Sequence, residues 1–219
     1  MKDNLTYLFN RCLHIHYRTV EEDGTFATEQ RGDTLYIYFD MTGSKMDWRT
    51  NFSFFVKPYK HMLITWRCHG GFLKVWKAIQ PYLTNLINNL EFRRIVIVGY
   101  SHGAALATLC HEYVWYCRPD LREGDGITGY GFGCPRVYWG RMKKELAVRW
   151  KNFHPVRNLT DLVTHVPFRF MGFRHVNKVL QLPNVGLYRK YTPLKCINAH
   201  YPKNYIHSIK EYDEDSSKQ

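Results

Sequence analysis

The amino-acid sequence lacks any long hydrophobic run, and it also lacks repeats, low-complexity tracts and Gly/Ser-rich linkers. No window of its 219 residues approaches eighteen apolar residues, so nothing in it predicts a membrane-spanning helix. The N-terminal stretch contains no apolar core of signal-peptide length before Arg11 and His14. These absences favour a single domain over residues 1–219, located in the cytoplasm or released without a classical signal peptide.

Metal-ligand spacing is absent among the cysteines, and acidic residues are few. The six cysteines have mostly apolar neighbours, which predicts buried, reduced thiols and no metal site. Lysine and arginine total 31 against 19 aspartates and glutamates, which gives a net charge of +12. Solvated helix faces account for these basic residues about as well as a binding patch does, but the charge also favours transient contact with an anionic lipid surface. Residues 213–219 are acidic and polar and are expected to form a disordered tail.

Hydrophobic patterns alternate between strand and helix along the chain. Residues 94–99 include four consecutive β-branched apolar residues, which is typical of a strand buried on both faces. Further strands are predicted at 35–39, 62–66, 127–132, 153–159 and 176–182, and helices at 72–90, 104–114, 138–148 and 201–212, with Pro81 as a kink or break in the first helix. This βαβα order predicts the α/β class, with a mostly parallel central sheet flanked by helices.

The pentapeptide Gly99-Tyr100-Ser101-His102-Gly103 lies between the predicted strand 94–99 and the predicted helix 104–114. A serine hydroxyl becomes a nucleophile when a base accepts its proton and when donors stabilise the oxyanion that follows. A G-x-S-x-G turn between strand and helix lifts the hydroxyl clear of the sheet and points the next amide toward the oxyanion. Ser101 is therefore the predicted nucleophile of a serine hydrolase; the alternative is a glycine-rich turn that only packs closely.

Five stretches of the chain together resemble one known family, the class 3 lipases of the α/β-hydrolase fold. They lie at residues 39–51, 69–72, 99–107, 131–137 and 158–167, and read FDMTGSKMDWRTN, HGGF, GYSHGAALA, GFGCPRV and NLTDLVTHVP. The resemblance covers most of residues 35–205. It implies the α/β-hydrolase fold, chemistry without a cofactor or metal, and a catalytic triad in the chain order Ser, Asp, His.

The resemblance assigns two partners to Ser101. Asp161 matches the family's acid, which holds the histidine and favours its protonated form as the serine proton is taken; a helix or turn cap is the alternative role. His200 matches the family's D-H-x-x-Y-like ending best, with Tyr205 as a packing partner. Other candidates are His165, His175 and His207 for the base and Asp120, Glu123 and Asp125 for the acid, although no motif supports these acidic residues.

The oxyanion hole implied by the resemblance consists of the backbone N–H of His102 and the backbone N–H, or also the hydroxyl, of Thr42; an ordinary strand-end threonine is the alternative. The chain departs from the family pattern at Tyr100, where His is usual, and at His102, where Leu is usual. The His102 ring either alters the pH profile or contacts substrate, or it faces solvent. Met41 stands where a glycine is usual, and the aromatic side chains within residues 44–59 form either a lid or part of the core.

The leading hypothesis is an enzyme that hydrolyses carboxylic esters through an acyl-enzyme on Ser101. Acylglycerols are the substrates by resemblance, and soluble short-chain esters are the nearest alternative. A non-catalytic lipid- or partner-binding protein on the same fold is the competing hypothesis. Nucleic-acid binding is suggested by the charge alone, because no recognition motif supports it.

Overall fold

A computed structural model describes residues 4–40, 55–61, 64–183 and 198–217 of the chain. The helices of the described part are α1 (Leu5–His14), α2 (Gly70–Ile87), α3 (His102–Cys117), α4 (Lys144–Ala147) and α5 (Pro202–Ser217). The strands are β1 (Arg18–Val20), β2 (Gly24–Arg31), β3 (Thr34–Phe39), β4 (Val56–His61), β5 (Ile64–His69), β6 (Arg94–Tyr100), β7 (Ile127–Phe132), β8 (Tyr138–Trp139), β9 (Phe153–Arg157), β10 (Phe173–Arg174) and β11 (Leu180–Gln181). Short 3-10 helices occupy Glu21–Asp23, Pro119–Leu121, Val148–Trp150, Leu162–His165 and Arg169–Met171.

The central sheet has the strand order β1-β2-β3-β6-β7-β9-β11. All neighbours from β3 to β11 are parallel, while β1, β2 and β3 form an antiparallel edge. Parallel neighbours need crossover connections, and α2 and α3 lie in two of them. Strands β10, β8, β5 and β4 form a second, antiparallel sheet. The predicted α/β class with a mostly parallel central sheet is confirmed.

Helices cover both faces of this sheet, as the apolar run in β6 requires. Ile95 and Ile97 belong to a large apolar cluster that also contains residues of α2 and α3. Val96 and Val98 belong to a second cluster, which contains residues of α1 and α5. Successive side chains of a strand point to opposite faces, so a strand covered on both faces needs apolar residues at consecutive positions.

The segment predicted as a helix at 138–148 is different in the structure. Tyr138 and Trp139 form β8, which pairs with Cys68 and Arg67 of β5, and only Lys144–Ala147 is α-helical. The prediction was wrong because the apolar spacing does not reveal a pairing with a strand that lies about 70 residues earlier in the chain. By contrast, α2 is one continuous helix with Pro81 inside it.

The conformation of the acidic residues after position 212 also differs from the prediction. Residues 213–217 continue α5 as a helix and do not form a frayed tail. The Asp213 carboxylate accepts hydrogen bonds from the backbone N–H groups of Leu5 and Thr6 at 3.4 and 2.8 Å. Those groups begin α1, where the helix dipole favours a negative charge, so the contact holds the end of α5.

Two further findings concern the described residues. Their cysteines, at positions 12, 68, 110, 117 and 134, are free thiols, and only Cys117 is not fully buried. Their helices include none with both the length and the apolar character needed to cross a bilayer.

Candidate active site

Ser101 stands on the turn between β6 and α3. Its φ of 57° and ψ of −119° lie outside the helical and extended regions, which is the strain expected where a nucleophile is presented. A Cβ on Gly99 would lie 2.2 Å from the carbonyl oxygen of Gly103, and a Cβ on Gly103 would lie 2.2 Å from that of Phe39. The Ser101 N–H donates to the Phe132 carbonyl at 2.8 Å, which ties the turn to β7. The turn therefore requires both glycines.

Ser101, Asp161 and His200 meet at the carboxyl ends of the parallel strands. His200 Nε2 lies 2.8 Å from Ser101 Oγ, and His200 Nδ1 lies 2.8 Å from Asp161 Oδ2. All three side chains are buried. Asp161 also has the capping role that was its alternative, because Oδ1 accepts from the Val163 N–H at 2.9 Å. A hydroxyl, an imidazole and a carboxylate connected in this order can remove the proton from the serine.

Tyr205 and Asn158 hold Asp161 and His200 in place. The Tyr205 hydroxyl donates to Asp161 Oδ2 at 2.7 Å and accepts from the Asn158 N–H at 3.0 Å. The Asn158 side-chain amide donates to the Ala199 carbonyl at 2.9 Å, next to His200. Burial, followed by the charge of Asp161, raises the pKa of the Tyr205 phenol well above its ordinary value, so the phenol stays protonated. From the sequence, only a packing role was predicted for Tyr205 and none for Asn158.

Tyr100 packs against His200. Its ring stacks on the His200 ring with centroids 5.2 Å apart and planes 20° apart. Its hydroxyl donates to the His200 backbone carbonyl. Gly133 lies against the same imidazole, because a Cβ there would be 2.7 Å from His200 Cε1. The histidine is thus fixed through its ring and its backbone.

His102 begins α3 directly after Ser101. As the first helical residue, it has a backbone N–H with no acceptor in a preceding helical turn, which suits an oxyanion donor. Its side chain is buried at 8% exposure, so the solvent-facing alternative is wrong. Burial, followed by the charge of His69, lowers the pKa of His102 to about 4. The ring is therefore uncharged at neutral pH, and it lies 5.3 Å from the Phe72 ring.

The predicted second oxyanion donor, and most of the segment 44–59 that was predicted to form either a lid or part of the core, fall outside the described residues. Thr42 lies there, together with the other residues from 41 to 54. The last residues of the range 44–59 belong to β4 and its antiparallel pairing with β5. Within β4, Tyr59 is fully buried and its hydroxyl accepts from Trp76 Nε1 at 2.8 Å. The part of the range 44–59 that belongs to β4 therefore contributes to the core.

The remaining candidates for the base and the acid are not hydrogen-bonded to Ser101 in the described part of the chain. His175 Nε2 lies 2.9 Å from the Thr164 carbonyl oxygen, and Asp120 pairs with Arg118 at 2.7 Å. The other candidates are His165 in a 3-10 helix, His207 in α5, and Glu123 and Asp125 in the connection before β7. The described residues contain no cluster of three or more groups that could hold a metal ion.

Residues 36–171, more than half of the chain, match the family described as Lipase (class 3). The chain belongs to the class 3 lipases. This class 3 lipase also superposes on the crystal structure of the lipase from Rhizopus microsporus var. chinensis with a TM-score of 0.60 and 20% sequence identity, covering 89% of this chain and 71% of that one. Identity at this level shows the shared fold. The resemblance inferred from the five motifs is confirmed.

Two curated relatives of this class 3 lipase have names that describe lipid hydrolysis. Phospholipase A1-II 5 of Oryza sativa subsp. japonica is 33% identical over 94 residues, which cover 40% of this chain and 20% of that protein. Secreted mono- and diacylglycerol lipase LIP2 of Malassezia restricta is 29% identical over 119 residues, which cover 50% of this chain and 35% of that protein. The matches thus cover between a fifth and about a third of the length of these relatives.

The predicted location is corrected by these comparisons. From the sequence, the chain was predicted to be cytoplasmic or released without a classical signal peptide. The Malassezia relative and a lipase of Penicillium cyclopium are both named as secreted mono- and diacylglycerol lipases. That prediction was wrong on this comparison, because an N-terminal pattern and reduced cysteines are weak guides to the location of a protein.

Proposed function

We propose that this class 3 lipase hydrolyses carboxylic esters of acylglycerols, with Ser101 as nucleophile, His200 as general base and acid, and Asp161 as the group that orients His200. The proposal rests on one observation, the hydrogen-bonded series from Ser101 Oγ through His200 to Asp161 Oδ2, with 2.8 Å at each step. The substrate class comes from the names of the curated relatives, which include mono- and diacylglycerol lipases and a phospholipase A1.

The proposed reaction has two halves. Ser101 Oγ attacks the ester carbonyl carbon while His200 Nε2 takes the hydroxyl proton, and the charge of Asp161 stabilises the imidazolium. The tetrahedral oxyanion accepts from the His102 N–H and from Thr42, and its collapse expels the alcohol, which receives the proton from His200. Water then attacks the acyl-enzyme with His200 as base, and the carboxylic acid leaves as Ser101 recovers its proton.

A fluorophosphonate probe tests this assignment directly. We expect the folded chain to be labelled and to hydrolyse p-nitrophenyl esters, and we expect Ser101→Ala to abolish labelling and to lower kcat by roughly 10⁴–10⁶-fold. Ser216→Ala, near the end of α5, is the matched serine control and should leave both unchanged. Absence of labelling in the folded chain, or equal labelling of Ser101→Ala, would refute the proposal and favour a non-catalytic lipid-binding protein.

A substrate series tests the finer assignment. Rates on p-nitrophenyl esters of increasing chain length, measured beside a triacylglycerol and a diacylglycerol emulsion, separate an acylglycerol lipase from a soluble esterase. We expect hydrolysis of the emulsified acylglycerols. Activity restricted to dissolved short-chain esters would contradict the proposed substrate class and leave the Ser101 mechanism intact.

A further inference from the structure

The segment that follows Asp161 carries exposed apolar side chains. Phe170 is 86% exposed, Leu162 is 43% exposed and Phe168 is 39% exposed. The Phe168 and Phe170 rings stack on each other, with centroids 5.4 Å apart and planes 8° apart. They therefore form one apolar surface, and water in contact with such a surface favours its burial in another apolar phase. We call residues 162–174 the rim segment.

Positive charge surrounds this apolar surface. Arg169 lies between the two phenylalanines in sequence and is exposed. Burial, followed by the charges of Arg157, Arg169 and Arg174, lowers the pKa of Arg136, so these three guanidinium groups are close enough to Arg136 to repel it. In the part of the chain that the structure describes, none of these four arginines is among the groups that form an ion pair. An anionic surface would reduce this repulsion.

Hydrogen bonds to backbone carbonyls hold the rim segment in this conformation. Arg136 Nη1 donates to the carbonyls of His165 and Pro167, the latter at 3.1 Å. Arg174 Nη1 donates to the Arg169 carbonyl at 2.9 Å. The exposed phenylalanines are thus presented by a fixed backbone, and binding would require little further loss of conformational entropy.

One end of the rim segment lies at the candidate active site, and the other is connected to it through packed rings. Asp161 immediately precedes it and contacts His200. Near its other end, the Phe173 ring lies 5.8 Å from the His69 ring, and His69 packs through Phe72 toward His102. A surface docked on the rim segment would therefore face the edge of the site that contains Ser101.

We propose that the rim segment is a docking surface for an anionic lipid layer, in which Phe168 and Phe170 insert at the boundary between head groups and acyl chains while Arg169 and Arg174 bind acidic head groups. Paired exposed aromatic rings beside arginines are the combination that partitions to such a boundary. This inference extends the proposed function, because it identifies the surface from which the ester would reach Ser101.

Vesicle binding tests the apolar part of the proposal. The full chain with Ser101→Ala, which leaves the lipid intact under the proposed mechanism, is sedimented with vesicles of phosphatidylcholine mixed with phosphatidylglycerol. We expect the added double substitution Phe168→Ser and Phe170→Ser to lower the partition coefficient roughly tenfold or more. The matched control is Leu90→Ser, because Leu90 is 68% exposed and lies just before β6, at the amino ends of the parallel strands and so away from Ser101. It should bind as the parent does.

The charge is tested in the same assay. We expect Arg169→Gln to weaken binding to the mixed vesicles about fivefold and to have little effect with phosphatidylcholine alone. Arg93→Gln, an exposed arginine just before β6, is the control and should change neither. The difference between parent and Arg169→Gln should shrink as salt is added, because added ions screen the attraction.

Three results would overturn the proposal. The first is unchanged vesicle binding after the phenylalanine substitutions, and the second is an equal loss in the Leu90 or Arg93 control. The third is a change of oligomeric state in the phenylalanine variant without lipid, which would make the surface an interface between copies of this chain. Hydrolysis of a soluble ester by the chain with Ser101 intact is measured separately, so failure of the proposed enzyme activity is distinguished from failure of docking.

Discussion

Asp161 accepts hydrogen bonds from groups far apart in the sequence. The Val163 N–H contacts one of its oxygens, while the Tyr205 hydroxyl and the His200 ring contact the other. Hydrogen bonds to a charged acceptor are short and strong, so these donors fix the plane of the carboxylate. In the proposed mechanism this plane sets the angle of the imidazole to Ser101, and a small misplacement lowers the rate of attack.

Tyr205→Phe removes one of these donors and keeps the ring. We expect the free energy of unfolding to fall by about 1.5–3 kcal/mol, because a hydrogen bond to a charged group is lost in the core. We also expect kcat on a soluble p-nitrophenyl ester to fall about tenfold with KM unchanged, because the carboxylate is less well oriented and substrate contacts remain. Urea unfolding and steady-state kinetics measure the two effects.

Tyr38→Phe is the matched control for this substitution. Tyr38 is fully buried in the same apolar cluster as Tyr205, and its hydroxyl has no hydrogen-bond partner among the described residues. Removing that hydroxyl should leave kcat unchanged and should not destabilise the fold. A Tyr205→Phe variant that loses stability but keeps full kcat would show that Tyr205 only packs.

The residues of the candidate site could be predicted from the sequence to different degrees. Ser101, Asp161 and His200 stand in motifs, and the structure brings these three together. The bond between Tyr205 and Asp161 joins positions 44 residues apart, and no local pattern reveals it. Burial of His102 was also not foreseen, although the helix that it begins is mostly apolar on every side, a pattern that is typical of a buried helix.

At the scale of elements, the turn from β6 into α3 depends on close contact between backbones. A Cβ on Gly103 would lie 2.2 Å from the Phe39 carbonyl oxygen and 2.6 Å from that of Asp40. Both neighbours are backbone atoms at the end of β3, so neither can move aside as a flexible side chain would. The glycine therefore sets the distance between α3 and the end of β3.

Gly103→Ala should separate these two elements. We expect the free energy of unfolding to fall by about 3 kcal/mol or more, which is the upper range for overpacking, and we expect probe labelling of Ser101 to slow. Chemical denaturation and the labelling rate measure these effects. Gly124→Ala is the control, because its Cβ meets nothing within 4 Å although its φ is +59°. Its expected loss is about 1–2 kcal/mol, from backbone strain alone. Equal losses in both variants would contradict the contact argument.

Local patterns predicted the parallel part of the fold better than its antiparallel parts. Most residues of β3, β6, β7 and β9 are buried, and each strand was predicted within about two residues of its observed bounds. Strands β1 and β2 were missed because their burial is partial and their side chains are mostly polar. The two-residue strand β8 forms only through pairing with β5 and β10, so its local sequence could not reveal it.

For the whole molecule, the net charge of +12 was known from the sequence, but its distribution was not. The fold brings Arg157 of β9, Arg169 of a 3-10 helix and Arg174 of β10 close to Arg136, which precedes β8. The spacing of arginines along the chain did not reveal this cluster. The cluster forms only because the segment after Asp161 folds back so that β10 pairs with β8. The distribution of positive charge therefore depends on the tertiary structure, whereas the net charge follows from the sequence alone.

The described fold also buries several histidines in uncharged form. Burial is the largest cause in each case, and it lowers the pKa of His69 and His102 to about 4 and that of His111 and His175 to about 3. In the unfolded chain these imidazoles take up protons near pH 6.5. Between about pH 6.5 and pH 4 the unfolded state thus binds more protons than the folded state, and the free energy of unfolding falls as the pH falls.

His102→Leu should relieve part of this sensitivity to acid. We expect the loss of unfolding free energy between pH 8 and pH 5 to be smaller than in the parent by about 2 kcal/mol, the value for one imidazole with these two pKa values. Urea unfolding at both pH values measures the difference. His207→Gln on the exposed face of α5 is the control and should retain the parent's full loss. Since the backbone N–H at position 102 is kept, hydrolysis at neutral pH should continue. If His102→Leu lost as much unfolding free energy between pH 8 and pH 5 as the parent does, the His102 ring would not be buried in solution.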